Sequence, residues 1–168
     1  MVFENSKRSG FLPFLDLPQH TTQPLELALD LVSDDEDRQV LRQRGWRVRE
    51  SVAVASTPWD YQRYIQKSRG EFSCAKPSCI HFQNAWISDR TLCYLASGKP
   101  AVVQHTGPSR FLPSDAGLFR FCDLKEATRC LEMVVADYDR QCRVARGLAE
   151  QYFDAKKVTR CVLERALA

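Results

Sequence analysis

The sequence predicts an α/β domain: a Rossmann-like, mostly parallel sheet flanked by helices, with a helical tail at the carboxyl end. Three observations predict this fold class. Short β-prone segments alternate with helix-like segments, many of these helices begin with a capping signal, and the last part of the chain shows helical periodicity alone. Such alternation indicates parallel strands, because a parallel pair needs a long crossover, usually a helix. With 168 residues, the chain has room for one hydrophobic core.

The amino-terminal segment is predicted to be an arm or linker, residues 1–32, that precedes an α/β lobe formed by residues 33–168. Pro13, Pro18 and Pro24 interrupt any helix or central strand in this segment. An arm of this kind needs a surface to pack on, and a homodimer formed through the arm is one predicted assembly. The apolar side chains available for that contact are Phe3, Phe11, Leu12, Phe14 and Leu15.

Capping signals predict where the helices begin and end. Ser33 and Glu36 form a capping box for a helix over about residues 34–44, and Gly45 provides a left-handed stop. Thr57, followed by proline at the first helical position, opens a second helix. The other predicted elements are β-prone segments at Trp46–Val54, Glu71–Ala75, Ala101–Gln104 and Leu118–Cys122, a helix from Ser88 to Ser97 that stops at Gly98, a helix opened by the Asp123 and Glu126 capping box, and helices over Tyr138–Tyr152 and from Asp154 onward.

Composition excludes several classes of protein. The chain is 44% hydrophobic and rich in aromatic residues, so it is not a disordered or low-complexity protein. A net charge of +3, evenly spread, does not indicate nucleic-acid binding. No run of about 18 apolar residues exists, so no membrane span is expected. The apolar stretch Phe11–Leu17 contains Pro13 and Asp16 and lacks a cleavage site, so it is not a signal peptide.

The cysteines and the missing motifs narrow the chemistry further. Seven cysteines without a CxxC pair favour a reducing, cytoplasmic location in which cysteine serves as a small apolar residue. A zinc site drawn from Cys74, Cys79, His81 and Cys93 fits no established ligand spacing, so no metal is expected. The sequence also lacks GxSxG, GxGxxG and Walker motifs. Their absence disfavours hydrolase, dinucleotide-dependent and NTPase functions.

Polar residues gather in three segments that follow strands or begin helices: 68–76, 86–90 and 104–109. In an open parallel sheet, ligands bind outside the carboxyl ends of the strands, where loops meet helix N-termini. Hydroxyls, helix-start amides and two cations in these segments suit an anionic ligand such as a phosphate. Alternatively, the polar residues at the helix start only cap it, and its arginine pairs with a neighbouring carboxylate. The candidate phosphate groups are Ser73, Lys76, Ser88 and Arg90, and the candidate acceptors for sugar or ribose hydroxyls are Glu71 and Asp89.

The order of the motifs resembles the carboxyl lobe of bacterial glycosyltransferases with the two-lobed GT-B fold, of the glycosyltransferase group 1 type. The resemblance runs from about Gly45 to the end of the chain. It depends on Ser-Arg-Gly-Glu-Phe-Ser at 68–73, Lys76, Trp86, Ser-Asp-Arg at 88–90, Tyr-Leu-Ala-Ser-Gly-Lys-Pro at 94–100 and Thr-Gly at 106–107. Such a lobe binds a nucleoside diphosphate sugar, and the complete enzyme transfers the sugar to an acceptor. The donor contacts that the resemblance implies are Glu71, Phe72, Ser73, Lys76, Ser88, Asp89, Arg90, Thr106 and Gly107.

The chain also departs from the family pattern. Cys93 stands where related transferases often carry a glutamate that holds the donor ribose, so this role falls to Glu71 or Asp89 or is lost. The resemblance implies a lobe truncated at its amino terminus, without the acceptor lobe and without its own first strand and helix. We therefore expect donor binding without turnover by the chain alone, with an acceptor lobe in trans as a predicted partner. The alternative is a degenerate, non-catalytic lobe that acts as an interaction or assembly module.

Overall fold

A computed structural model describes residues 4–30 and 36–167 and shows an α/β architecture. The described residues form five strands: β1 (Glu26–Leu29), β2 (Arg47–Glu50), β3 (Glu71–Ser73), β4 (Ala101–Gln104) and β5 (Leu118–Phe121). They also form nine α-helices: α1 (Lys7–Phe11), α2 (Glu36–Gln43), α3 (Ser51–Ala55), α4 (Pro58–Lys67), α5 (Pro77–His81), α6 (Asp89–Ala96), α7 (Leu124–Ala136), α8 (Tyr138–Tyr152) and α9 (Ala155–Leu167). The predicted fold class is confirmed.

Every pair of strands in the described residues is parallel, as the sequence predicts, but the strands belong to two small sheets. One sheet has the order β1-β2, with Glu26 opposite Arg47, and the other has the order β3-β4-β5. The connections contain helices, because parallel neighbours cannot be joined by a tight hairpin. Among the described residues, β1 pairs only with β2, and β3 pairs only with β4. Strands β1 and β3 therefore each have one edge that forms no strand pairing there.

Predicted caps and stops mark several of the helix boundaries. The Asp123 carboxylate accepts a hydrogen bond from the Glu126 amide at 2.8 Å, and the Glu126 carboxylate accepts one from the Cys122 amide at 2.7 Å. Helices α2 and α6 are followed by Gly45 and Gly98, which have φ angles of +94° and +66°, the left-handed conformation expected of a helix stop. The predicted capping residue Ser33 lies outside the described residues.

The cap of α4 provides a test of how local signals hold the fold. The Thr57 hydroxyl accepts a hydrogen bond from the Asp60 amide at 3.1 Å. We expect Thr57→Ala to lower the free energy of unfolding by about 1 kcal/mol, because one amide at the helix start loses its partner. Urea denaturation followed by circular dichroism measures this change. Thr57→Ser keeps the hydroxyl and serves as the matched control; an equal loss in both variants would contradict the capping role.

The amino-terminal segment packs within its own chain, whereas the sequence predicted an arm that needs a partner surface. Phe14 and Leu17 are buried, and the Phe14 ring meets the Phe121 ring edge-on with centroids 5.0 Å apart. The indole nitrogen of Trp46 donates a hydrogen bond to the Leu15 carbonyl oxygen at 2.7 Å. The segment also contains β1, which the sequence analysis did not predict. Leu12 stays exposed.

Two apolar clusters cover the faces of the sheets. The larger joins the amino-terminal segment to the inner faces of α2 and α7 through Phe14, Leu41, Val102, Phe121 and Leu131. The smaller packs α6 and α8 against the opposite side of β4 and β5, through residues such as Leu95 and Leu148. Helix α9 buries none of its described side chains. Within residues 4–30 and 36–167, no helix combines the length and apolar character that crossing a bilayer requires.

Candidate anion-binding site

A cavity of about 1140 Å³ separates the two sheets. All the residues of β1 and of β3 line it, so the molecule has β2 and β1 on one side of the cavity and β3, β4 and β5 on the other. The strand order therefore reverses across the cavity. In open parallel sheets, such a reversal is the place where ligands bind, since the connecting loops diverge there and leave a crevice.

Glu71, Ser73 and Arg90 form a hydrogen-bonded group on the wall of this cavity. The Arg90 Nε donates to the Glu71 Oε1 at 2.9 Å, and the Arg90 Nη2 donates to the Ser73 hydroxyl oxygen at 2.8 Å. The two strand residues share a face of β3 because side chains alternate along a strand. The structure thus brings together three of the predicted site residues, which lie up to 19 positions apart in the sequence.

The Arg90 guanidinium is fixed by two contacts and has N–H donors that these contacts do not use. The Glu71 side chain is 2% exposed and the Arg90 side chain 41%, so the carboxylate is buried while the arginine is partly accessible to solvent. Burial lowers the pKa of Arg90, but the Glu71 carboxylate, together with Tyr61 and Tyr94, raises it, and the net shift is upward, so the arginine stays charged. A guanidinium has five N–H donors, and the contacts to Glu71 and Ser73 occupy two of them. The remaining donors suit a second anion.

One oxygen of the Glu71 carboxylate receives no hydrogen bond from the part of the chain that the structure describes. This atom, Oε2, is buried and has no hydrogen-bond partner among the described residues. A buried, unsatisfied carboxylate oxygen is costly, so such atoms usually mark a strained or functional position. Glu71 therefore pairs with a cation through one oxygen and has the other oxygen unused.

The start of α6 brings the second predicted segment to the same place. The Ser88 hydroxyl accepts a hydrogen bond from the Arg90 amide at 3.2 Å and caps the helix, as predicted. Ser88 also donates to the Asp89 carboxylate at 3.3 Å, so both residues serve the helix start. A small cavity beside the large one is lined by Ser73, Trp86 and Ser88, which shows that the end of β3 and the start of α6 adjoin.

The third segment, Thr106 and Gly107, supports the loop before α6. The Thr106 hydroxyl donates to the Trp86 carbonyl oxygen at 2.6 Å, and the Ala85 amide donates to the Thr106 carbonyl oxygen at 2.8 Å. Both residues are buried. Their observed role is to fix the segment that carries Trp86, rather than to face the large cavity.

Two of the predicted site residues lie apart from this group. The Phe72 side chain points to the other face of β3, where its ring stacks on Phe121 with centroids 5.2 Å apart. That ring packs against the larger apolar cluster. Lys76 is exposed at the N-cap of α5, and the hydrogen bonds described for Glu71, Ser73 and Arg90 do not include it.

Comparison with known proteins assigns no family. No family model matches the chain, and no curated protein matches it. The described residues also contain no group of three or more histidine, cysteine or acidic side chains arranged to hold a metal ion. The charged groups that the structure brings together at the site are Arg90 and Glu71. Their arrangement can hold an anion at the guanidinium.

One site residue was missed by the sequence analysis. Lys7, in α1, lines the large cavity and donates from its ammonium to the Cys74 carbonyl oxygen at 3.2 Å. Its ammonium also lies 5.5 Å from the centroid of the Trp86 ring. No motif links Lys7 to β3, because 67 positions separate Lys7 from Cys74 and the contact depends on how the amino-terminal segment folds back.

Proposed function

We propose that the chain binds the diphosphate of a nucleoside diphosphate sugar at the cavity between the sheets and serves as the donor-binding lobe of a glycosyltransferase. The observation that carries the proposal is the anchored Arg90, which Glu71 and Ser73 fix at the edge of β3 while its side chain stays 41% exposed. It lies in the segment that the motif order assigns to donor binding.

The size and position of the cavity suit this ligand. Pockets for drug-sized ligands are typically about 300–1,000 Å³, so a cavity of about 1140 Å³ has room for a nucleotide and a sugar. It lies where the strand order reverses, at the end of β3 and the start of α6. The tyrosines on its wall, Tyr61, Tyr64 and Tyr94, provide apolar ring surface and hydroxyls for the sugar or base.

Arg90 supplies the chemistry that sugar transfer needs from a donor lobe. As the bond between sugar and diphosphate breaks, negative charge grows on the leaving diphosphate. A guanidinium already held by Glu71 and Ser73 stabilises that charge without reorganising during the reaction. The Glu71 carboxylate contributes by holding Arg90, since its side chain is 2% exposed and its other oxygen is buried. Transfer then requires an acceptor positioned on the other side of the donor, which the proposal assigns to a second lobe.

Calorimetric titration of the chain with uridine, guanosine, adenosine and thymidine diphosphates tests the proposal. We expect saturable binding of at least one of them, with a rise in melting temperature that depends on ligand concentration. The corresponding nucleoside without phosphates is the matched ligand control and is expected to bind far more weakly. A folded chain that binds none of the four diphosphates would contradict the proposal.

A further inference from the structure

We infer that Lys7 of α1, and not Lys76, is the second cation of the diphosphate site. This inference deepens the proposed function and rests on it: the ligand is the same diphosphate, and the new claim is which side chain holds it together with Arg90. Lys7 and Arg90 both line the large cavity, and they bond to adjacent residues at the end of β3, Lys7 to the Cys74 carbonyl oxygen and Arg90 to the Ser73 hydroxyl. Lys76 does not line it.

The backbone around Lys7 is held closely against the loop after β3. Gly10 packs so tightly on this loop that an added Cβ atom would overlap the Ala75 carbonyl oxygen. At the other end of the helix, the Asn5 side-chain oxygen accepts a hydrogen bond from the Ser78 amide at 3.0 Å. These two contacts fix the backbone of α1 beside the cavity, and the Lys7 ammonium is placed there by its own hydrogen bond to the Cys74 carbonyl oxygen.

The Lys7 ammonium also has donors to spare. An ammonium carries three N–H donors, and Lys7 uses one of them on the Cys74 carbonyl oxygen in the described contacts. Lys7 is exposed as a residue although its ammonium is partly desolvated, and it lines the cavity, so a ligand there can reach it. The Trp86 ring lies against the same ammonium and helps to hold it at the cavity edge.

The charged groups around Lys7 carry an excess of positive charge, which favours an anion. Lys7 and Arg90 are both cations, and the carboxylate facing them is Glu71, whose Oε1 already pairs with Arg90. Burial and then the Arg90 guanidinium lower the pKa of Lys7, while Glu71 opposes them. Two cations that repel each other across a cavity are stabilised when an anion lies between them. A diphosphate supplies two phosphate groups, one for each cation.

The test compares binding to the wild-type chain, Lys7→Gln and Lys76→Gln, with inorganic pyrophosphate and the nucleoside diphosphates as probes. We expect Lys7→Gln to weaken binding by about tenfold or more, because a charge-assisted contact is lost. Lys76→Gln also removes one positive charge, from an exposed residue that does not line the cavity, and is expected to stay within about twofold of wild type. Lys7→Arg keeps the charge and is expected to restore most of the affinity.

A second readout separates binding from a structural role. Because an anion favours the charged form of lysine, pyrophosphate should raise the pKa of Lys7, observed from the chemical shift of its side-chain carbons in a pH titration. A Lys7 that only tethers α1 to Cys74 would show no such ligand-dependent change. The melting temperature of Lys7→Gln, compared with that of Lys76→Gln, shows whether α1 stays in place.

The possible results distinguish this inference from the proposed function. If nucleoside diphosphates bind and Lys7→Gln has no effect, the role of Lys7 is overturned and the donor-binding proposal stands. If pyrophosphate binds through Lys7 but no nucleoside diphosphate binds more tightly than pyrophosphate, the Lys7 site stands and nucleotide recognition does not. If neither probe binds the folded chain, both are overturned.

Discussion

We expect replacement of Arg90 with glutamine to destabilise the protein more than replacement of Arg90 and Glu71 together. The Glu71 side chain is 2% exposed, and Arg90 is the cation with which it pairs. Removing only the arginine leaves a buried carboxylate without a counter-charge, which typically costs about 3–5 kcal/mol. We expect a smaller loss of about 2–3 kcal/mol, because the Arg90 side chain is 41% exposed and water screens part of the interaction.

Urea denaturation of the two variants at neutral pH measures this difference. The double variant Glu71→Gln with Arg90→Gln removes both charges and is expected to recover most of the stability. Because it stays folded, it also serves as the protein for a binding control: it should fail to bind any diphosphate that the wild-type chain binds. If the single and double variants are equally unstable, the Arg90 contribution is packing, and the anchored-cation argument fails.

Phe14→Ala is expected to cost about 3–5 kcal/mol, the usual loss for a large aromatic side chain in a core. Phe14 is 2% exposed and its ring packs edge-on against Phe121 in β5 and Phe72 in β3. The amino-terminal segment therefore stabilises the sheet directly. Thermal and urea unfolding, both followed by circular dichroism, measure the change.

Leu12→Ala is the matched control for Phe14→Ala, since Leu12 lies two positions away and is 41% exposed. We expect a change within about 0.5 kcal/mol for that variant, as for other surface substitutions. If Phe14→Ala left the unfolding midpoint unchanged, the segment would be an independent arm, as the prolines at positions 13, 18 and 24 had suggested.

The sequence predicted the parts of the fold that local chemistry decides. Caps and stops involve residues a few positions apart, so Thr57, Ser88 and the Asp123–Glu126 pair could be recognised directly, and the structure confirms each of them. Strands β4 and β5 were found because buried parallel strands are short apolar runs. These signals do not depend on where distant parts of the chain lie.

Predictions that depend on tertiary packing were less complete. The segment Trp46–Val54 was predicted to be β-prone throughout, but only Arg47–Glu50 form a strand, and Ser51–Ala55 form α3, since packing overrides a weak intrinsic preference. Strand β1 follows Pro24 within a segment read as irregular, and its apolar residues become recognisable only once they pair with β2. The split into two sheets likewise depends on which strand edges meet, which no local pattern specifies.

In the candidate site too, local motifs predicted some residues, and tertiary packing placed others that the motifs could not predict. Glu71, Ser73 and Arg90 were predicted from their motifs, and the structure brings them into contact. Phe72 shares the motif, but its side chain lies on the opposite face of β3, because alternate residues point to opposite sides. Lys7 could not be predicted, since its place beside Cys74 comes from the fold of a segment with no recognisable motif.

The parallel arrangement of the strands has a consequence for how quickly the chain folds. Residue 26 pairs with 47, 71 with 101 and 101 with 118, so each pairing closes a loop of about 17 to 30 residues. None of these pairs can form as a local hairpin, and the entropy of closing each loop is lost before the strand contacts compensate for it. The capped helices α4 and α7 are therefore expected to form before either sheet. In refolding kinetics, the circular dichroism signal of helix should then appear before the fluorescence change that reports burial of Trp46.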